Sequence, residues 1–247
     1  MLPFKNCVIF GATGNIGKAI TLFINNQCNN LENLIFTGRT SKKVVELQNI
    51  LNNKNSLEKL NETKITGITN DLTVNSQRME LRNRIEDHLN SKPPDLLIFP
   101  IGDHVSDKSG AEDLEKIIST NLTAPLSEAQ YWIPLMKGGS VIFFSDSMIS
   151  KPMRGYSAYY SAKSGIETAA KILAGESAPK VRVNVIAPGI MNLKPTAKPD
   201  ATTRLGKQIP MGKIGGIKPI TDALHYLLNE EYITGIVLKI DGGSHLP

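Results

Sequence analysis

Cys7-Val8-Ile9-Phe10-Gly11-Ala12-Thr13-Gly14-Asn15-Ile16-Gly17 decides the reading of this chain. Four apolar residues lead into a turn with glycine at 11, 14 and 17, and the mixed segment Asn15–Asn25 follows. A short run that is apolar on both faces suits a strand covered by helices on both sides. Gly11 permits a sharp turn, Gly14 lets main chain approach a ligand, and Gly17 lets a helix pack closely on the strand. Phosphate would then sit on the N–H groups that a helix N-terminus leaves unused. The expectation is a dinucleotide-binding turn formed by Gly11, Thr13, Gly14, Asn15, Ile16 and Gly17; the alternative is a purely structural turn.

Downstream, the same alternation recurs. Apolar runs at Leu34–Thr37, Ile65–Ile68, Leu96–Phe99, Val141–Phe144, Val181–Ile186 and Ile236–Ile240 are bounded by Gly, Pro, Asn or Asp. Between them, Ser41–Asn52, Ser76–Leu89, Leu114–Met136, Ala158–Ala174 and Thr221–Leu228 read as helices, and Asn52–Asn61 as a solvated loop. Strands alternating with helices predict an α/β fold, a doubly wound parallel sheet of about seven strands with helices on both faces. One domain over 1–247 is expected, with a substrate-loop region at about 190–215.

Composition excludes several classes. The 28 Lys+Arg against 23 Asp+Glu give a charge of +5 that is scattered, with no basic stripe or reader motif for nucleic acid. No stretch approaches the length of a membrane span, and the N-terminus lacks the features of a secretory leader. The expected location is the cytoplasm. Cys7 and Cys28 have no CxxC or histidine partner pattern, so two thiols are expected and no metal site.

Two further positions point to chemistry. The second strand ends in Phe36-Thr37-Gly38-Arg39-Thr40, without the carboxylate that receives the ribose hydroxyls of NAD. Arg39 could pair with a 2′-phosphate, with help from Lys42 or Lys43, which favours NADP(H) over NAD(H). In Tyr156-Ser157-Ala158-Tyr159-Tyr160-Ser161-Ala162-Lys163, only Tyr159 has a basic residue four positions on, so Tyr159 and Lys163 share a helix face. An ammonium ~5 Å from a phenol favours the phenolate by roughly 3 kcal/mol at an effective dielectric of ~20.

With these residues in place the sequence resembles the short-chain dehydrogenase/reductase family over nearly its whole length. The matching pieces are the glycine turn, Asn70-Asp71-Leu72-Thr73, Thr120-Asn121-Leu122, Tyr159-x-x-x-Lys163 and Arg182-Val183-Asn184-Val185-Ile186-Ala187-Pro188-Gly189. Pro210-Met211-Gly212-Lys213-Ile214-Gly215, Tyr232-Ile233-Thr234-Gly235 and Asp241-Gly242-Gly243 complete the order. The resemblance implies a Rossmann-type domain that transfers hydride between a nicotinamide and a carbonyl or alcohol carbon. By the same resemblance, Tyr159 would be the general acid and base, assisted by Lys163, with Asn121 supporting a water. Asp71 and Leu72 would border the adenine, and Gly102, Pro188 and Gly189 the nicotinamide side. Helices at Leu114–Met136 and Ala158–Ala174 would pair copies into a homotetramer or homodimer. The alternative is a catalytically weak NADP-binding or regulatory protein on the same fold.

Four departures stand out. The glycine spacing is that of the family's longer-chain branch. Phe99-Pro100-Ile101-Gly102 stands where the family commonly has Asn-Asn-Ala-Gly. The substrate-positioning serine, counted back from Tyr159, falls on Asp146, between Ser145 and Ser147; either serine could serve, or neither. Beyond Gly189, Asn192 could take the place of a threonine that binds the carboxamide.

Overall fold

The structure is a computed structural model that describes residues 1–55, 63–107, 111–191 and 204–247. Strand β1 (Asn6–Ile9) is central, pairing with β2 (Asn33–Gly38) on one side and β4 (Leu96–Phe99) on the other. Beyond β2 lies β3 (Lys64–Thr69), and beyond β4 lie β5 (Gly139–Phe144), β6 (Val181–Pro188) and β7 (Val237–Ile240). All pairings are parallel, in the order β3-β2-β1-β4-β5-β6-β7. The order reverses between β1 and β4, and in such a sheet a crevice opens there, outside the carboxyl ends of the strands.

Because strand side chains alternate, each strand feeds two apolar layers. Cys7, Ile9, Leu34, Phe36, Ile98 and Ile142 face one layer, closed by α1 (Asn15–Gln27), α2 (Ser41–Asn55) and α7 (Ile217–Asn229). Val8, Phe10, Ile35, Leu97, Phe99 and Val141 face the other, closed by α3 (Asn75–His88), α5 (Ala124–Trp132) and α6 (Ser157–Ser177). Phe99 stacks on Phe10 at 4.8 Å and on Phe143 at 5.0 Å between ring centres. A column of three rings thus joins neighbouring strands at the place where this chain lacks the asparagines common in the family it resembles.

Polar groups are buried where they tie elements together. Glu128 on α5 is fully buried and accepts from Trp132 Nε1 and from the Arg82 guanidinium of α3, whose Nη2 lies 3.0 Å away. Burial pushes its carboxyl above the ordinary range, against the pull of Arg82. Arg182 on β6 donates to the carbonyls of Leu227 and Leu228, satisfying the last turn of α7, and to that of Ile233.

Two local expectations change. The segment Leu114–Met136 is not one helix: α4 (Ala111–Ile118) passes through a π-turn (Ser119–Thr123) into α5, and a 3-10 turn (Ile133–Leu135) ends it. Pro125 near the start of α5 has no N–H to continue the regular ladder, so the helix rewinds before it. Residues 52–55 are the end of α2 rather than loop; the remainder of the expected loop lies outside the described residues.

Candidate active site

At the carboxyl ends of the strands two cavities meet at Pro100, Ile101 and Gly102. The smaller, about 290 Å³, is bordered by the glycine turn, the end of β2 and the loop after β3. Gly11 adopts φ +80°, and a Cβ on Gly17 would lie 2.8 Å from Ala12 Cα, so turn and helix close packing both need glycine here. Thr37 holds the turn from below, its carbonyl accepting from Ala12 N–H and its hydroxyl from Gly11 N–H. Gly11, Thr13, Gly14, Arg39, Asp71, Leu72 and Gly102 line this cavity, together with Lys43. Asn15 and Gly17 do not: Asn15 is exposed, and Gly17 packs against the strand. Arg39 Nη2 lies 2.8 Å from Asp103 Oδ2, an ion pair from the end of β2 to the loop after β4.

The larger cavity, about 510 Å³, is lined by Tyr159, Lys163, Asp146, Ser145, His104 and Gly102, by Pro188 and Gly189, and by Ile16 from α1. Tyr159 and Lys163 sit one turn apart on α6 and face it together. Asp107 fixes the start of that helix, accepting from the Ser157 hydroxyl and from the N–H groups of Ser157 and Ala158. Lys163 is buried and donates to the carbonyls of Ile101 at 2.9 Å and Phe144 at 3.0 Å. Burial pushes its ammonium down to about 8, opposed by the negative charges of Asp146 and Asp103.

The phenol of Tyr159 donates to Asp146 Oδ2 at 2.8 Å, while Asp146 Oδ1 accepts from Met148 N–H. Neither serine takes this place. Ser145 Oγ donates to the Lys163 carbonyl, and Ser147 Oγ is buried without a hydrogen-bond partner among the described residues. Burial, and then the Asp146 carboxylate, push the Tyr159 phenol above its ordinary range. This reverses the expected direction. Lys163 Nζ is 5.9 Å from the Tyr159 ring centre and is engaged by two carbonyls, whereas the carboxylate touches the hydroxyl directly.

Asn121, in the π-turn, lines neither cavity. Its amide donates to the carbonyls of Asp103 and Ile117 and accepts from Asp103 N–H, clamping the loop after β4. Asn192 lies outside the described residues. Sequence reasoning passed over His104, which stacks on Tyr156 at 4.4 Å and meets Tyr159 edge-on at 4.7 Å. No spacing signal could have placed it there, because the contacts join the loop after β4 to the start of a helix distant in the chain.

The groove suits a dinucleotide on its own features. Thr120 Oγ1 is buried at its wall with no partner among the described residues. A Cβ on Gly102 would lie 3.0 Å from Lys163 Nζ and 3.4 Å from Asn121 Oδ1, so glycine keeps that space clear.

A family profile described as enoyl-(acyl carrier protein) reductase matches residues 50–245. The chain belongs to the short-chain dehydrogenase/reductase family. Among its relatives, carbonyl reductase family member 4 of Xenopus laevis is 33% identical over 145 residues, 56% of this chain and 60% of that protein. The chain thus spans about three-fifths of that relative's length. The 3-oxoacyl-(acyl-carrier-protein) reductase of Rattus norvegicus is 28% identical over 251 residues, covering 98% of both chains. An actinorhodin polyketide ketoreductase variant solved with NADPH superposes with a TM-score of 0.84 at 16% identity, over 98% of both chains. This short-chain dehydrogenase/reductase therefore has the Rossmann-type fold of its solved neighbours.

Proposed function

We propose that the protein is an oxidoreductase that moves a hydride between NADP(H) and a carbonyl or alcohol carbon. A single juxtaposition carries this reading: Tyr159 and Lys163 face one cavity that continues, past Gly102, into the groove beside the glycine turn. The names of the reductase relatives agree with it. When bound, the nicotinamide supplies or takes up the hydride.

The chain's own residues do the rest. The main chain of Gly11–Gly17 and the buried Thr120 hydroxyl would hold the phosphates and ribose, and Asp71 and Leu72 would border the adenine. Arg39 and Lys43 give the groove positive charge at the end of β2, where a 2′-phosphate would sit, which favours NADP(H) over NAD(H). Tyr159 holds the transferable proton. At rest that proton is directed at Asp146, and a substrate oxygen entering the cavity must replace the carboxylate as its acceptor. Lys163, charged below about pH 8, offsets the negative charge of Asp146 and of any phenolate.

A second reading, a catalytically weak NADP-binding protein, is favoured by the Asp146 carboxylate at the place of a neutral hydroxyl. One set of measurements separates the two. NADPH consumption is followed with ketones, aldehydes and acyl thioesters, and cofactor binding is titrated in parallel. Tyr159→Phe is expected to cut turnover by ~100-fold or more and leave NADPH binding in place. Tyr156→Phe and Tyr160→Phe should stay within a few-fold of the parent. Arg39→Asp should weaken NADPH far more than NADH. Tight NADPH binding with no turnover on any substrate would select the weak-catalyst reading.

A further inference from the structure

A carboxylate and a hydroxyl make opposite demands on a ligand. The hydroxyl can donate to a carbonyl oxygen, whereas an ionised carboxylate can only accept. Asp146 spends one acceptor site of Oδ1 on Met148 N–H and one of Oδ2 on the Tyr159 phenol, which leaves lone pairs on the cavity side. Among the described residues no Lys, Arg or His forms an ion pair with it. Lys163, the cation that shares the cavity, is turned onto the carbonyls of Ile101 and Phe144. A ketone oxygen gains no hydrogen bond from this carboxylate and depends on the Tyr159 phenol alone, whereas an N–H group with positive charge would be held by the carboxylate directly.

The rest of the wall points the same way. His104 lies flat on Tyr156 and edge-on to Tyr159, Tyr160 meets Tyr159 at 5.2 Å, and Met148 and Met153 complete an apolar rim. Aromatic faces beside a carboxylate attract a flat cation.

We propose that this cavity takes planar substrates with a protonated carbon–nitrogen double bond, and that the chain reduces such iminium compounds to amines. The proposal rests on the reductase reading above and extends it to a second class of acceptor. The balance is simple. Hydride from the reduced nicotinamide forms the new C–H bond, and the π pair of the C=N bond moves onto nitrogen, giving a neutral amine and oxidised cofactor without a further proton. An imine that arrives unprotonated would take the Tyr159 proton on nitrogen, and the phenolate would regain one from solvent.

The test compares two ligands of one shape, the cyclic imine dihydroisoquinoline, held at mildly acidic pH as its iminium ion, and its ketone counterpart tetralone. Each is titrated by calorimetry into the parent protein, Asp146→Asn and Asp146→Ser, without cofactor; NADPH binding is titrated separately. The parent is expected to bind the iminium about tenfold or more tightly than the ketone, and both variants to lose that preference. With NADPH present, the parent should consume it with the imine in excess of the ketone. Equal binding of the two ligands by the parent, binding of neither, or a preference that survives in both variants would overturn the proposal. The comparison within the parent decides even where a variant fails to fold. Intact NADPH binding and ketone reduction with no iminium preference would overturn the proposal alone. Failure to bind NADPH would overturn the reductase reading with it.

Discussion

At the scale of single residues, Lys163 holds the sharpest measurable consequence. Its ammonium is out of water on two main-chain carbonyls, and its proton is lost near pH 8 in the folded chain against 10.5 ordinarily. Between these values the unfolded chain binds more protons than the folded one, so stability rises with pH across the window. The gain is on the order of 3 kcal/mol from the lower to the upper end. Urea unfolding just below and well above pH 8 should show this slope in the parent and its loss in Lys163→Met. The Tyr159–Lys163 pair was legible in the sequence because helical spacing alone puts both on one face. Asp146 was only half legible: counting back from Tyr159 landed on it, but a strand end can shift by a residue, and only the hydrogen bond to the phenol fixes which side chain faces inward. The sign of the shift at Tyr159 was misread because burial, and then a carboxylate in contact through space, outweigh a neighbour along the helix.

At the scale of elements, α3 and α5 are locked through Arg82 and the fully buried Glu128. Removing the cation strands a carboxylate in apolar surroundings, a loss of about 3–5 kcal/mol in comparable buried pairs. Arg82→Ala is therefore expected to lower the thermal midpoint sharply, while Arg82→Ala combined with Glu128→Leu should recover much of the loss; both are read by calorimetry. The strands were legible almost to the residue, because short apolar runs, buried on both faces in β1, β2 and β4, stand out from their polar borders. The break between α4 and α5 was not. Pro125 marked it, yet apolar periodicity runs straight through, and a π-turn is set by how the ladder accommodates the missing N–H.

At the scale of the whole molecule, the helical faces of α4 and α6 leave large apolar side chains in solvent, Leu114 and Ile172 among them. We expect copies to associate through these faces, with light scattering at micromolar concentration giving a dimer or tetramer mass, and Ile172→Asp shifting it towards the monomer. The alternation of strand and helix made the layered order legible from end to end, whereas the contacts that cross the crevice were not, since they join loops far apart in the chain. The Arg39–Asp103 pair is one of these, reaching from one half of the sheet to the other. A cofactor phosphate that recruits Arg39 must displace an internal carboxylate, so one ion pair is exchanged for another instead of being newly formed. Added salt weakens both partners of that exchange alike. NADPH affinity should accordingly fall only gently with ionic strength in the parent, and Asp103→Asn should bind NADPH more tightly at low salt yet lose that advantage steeply as salt is raised. The Arg39 guanidinium thus carries its own counter-ion, and on the proposed reading the strength of cofactor capture would be buffered against the ionic composition of its surroundings.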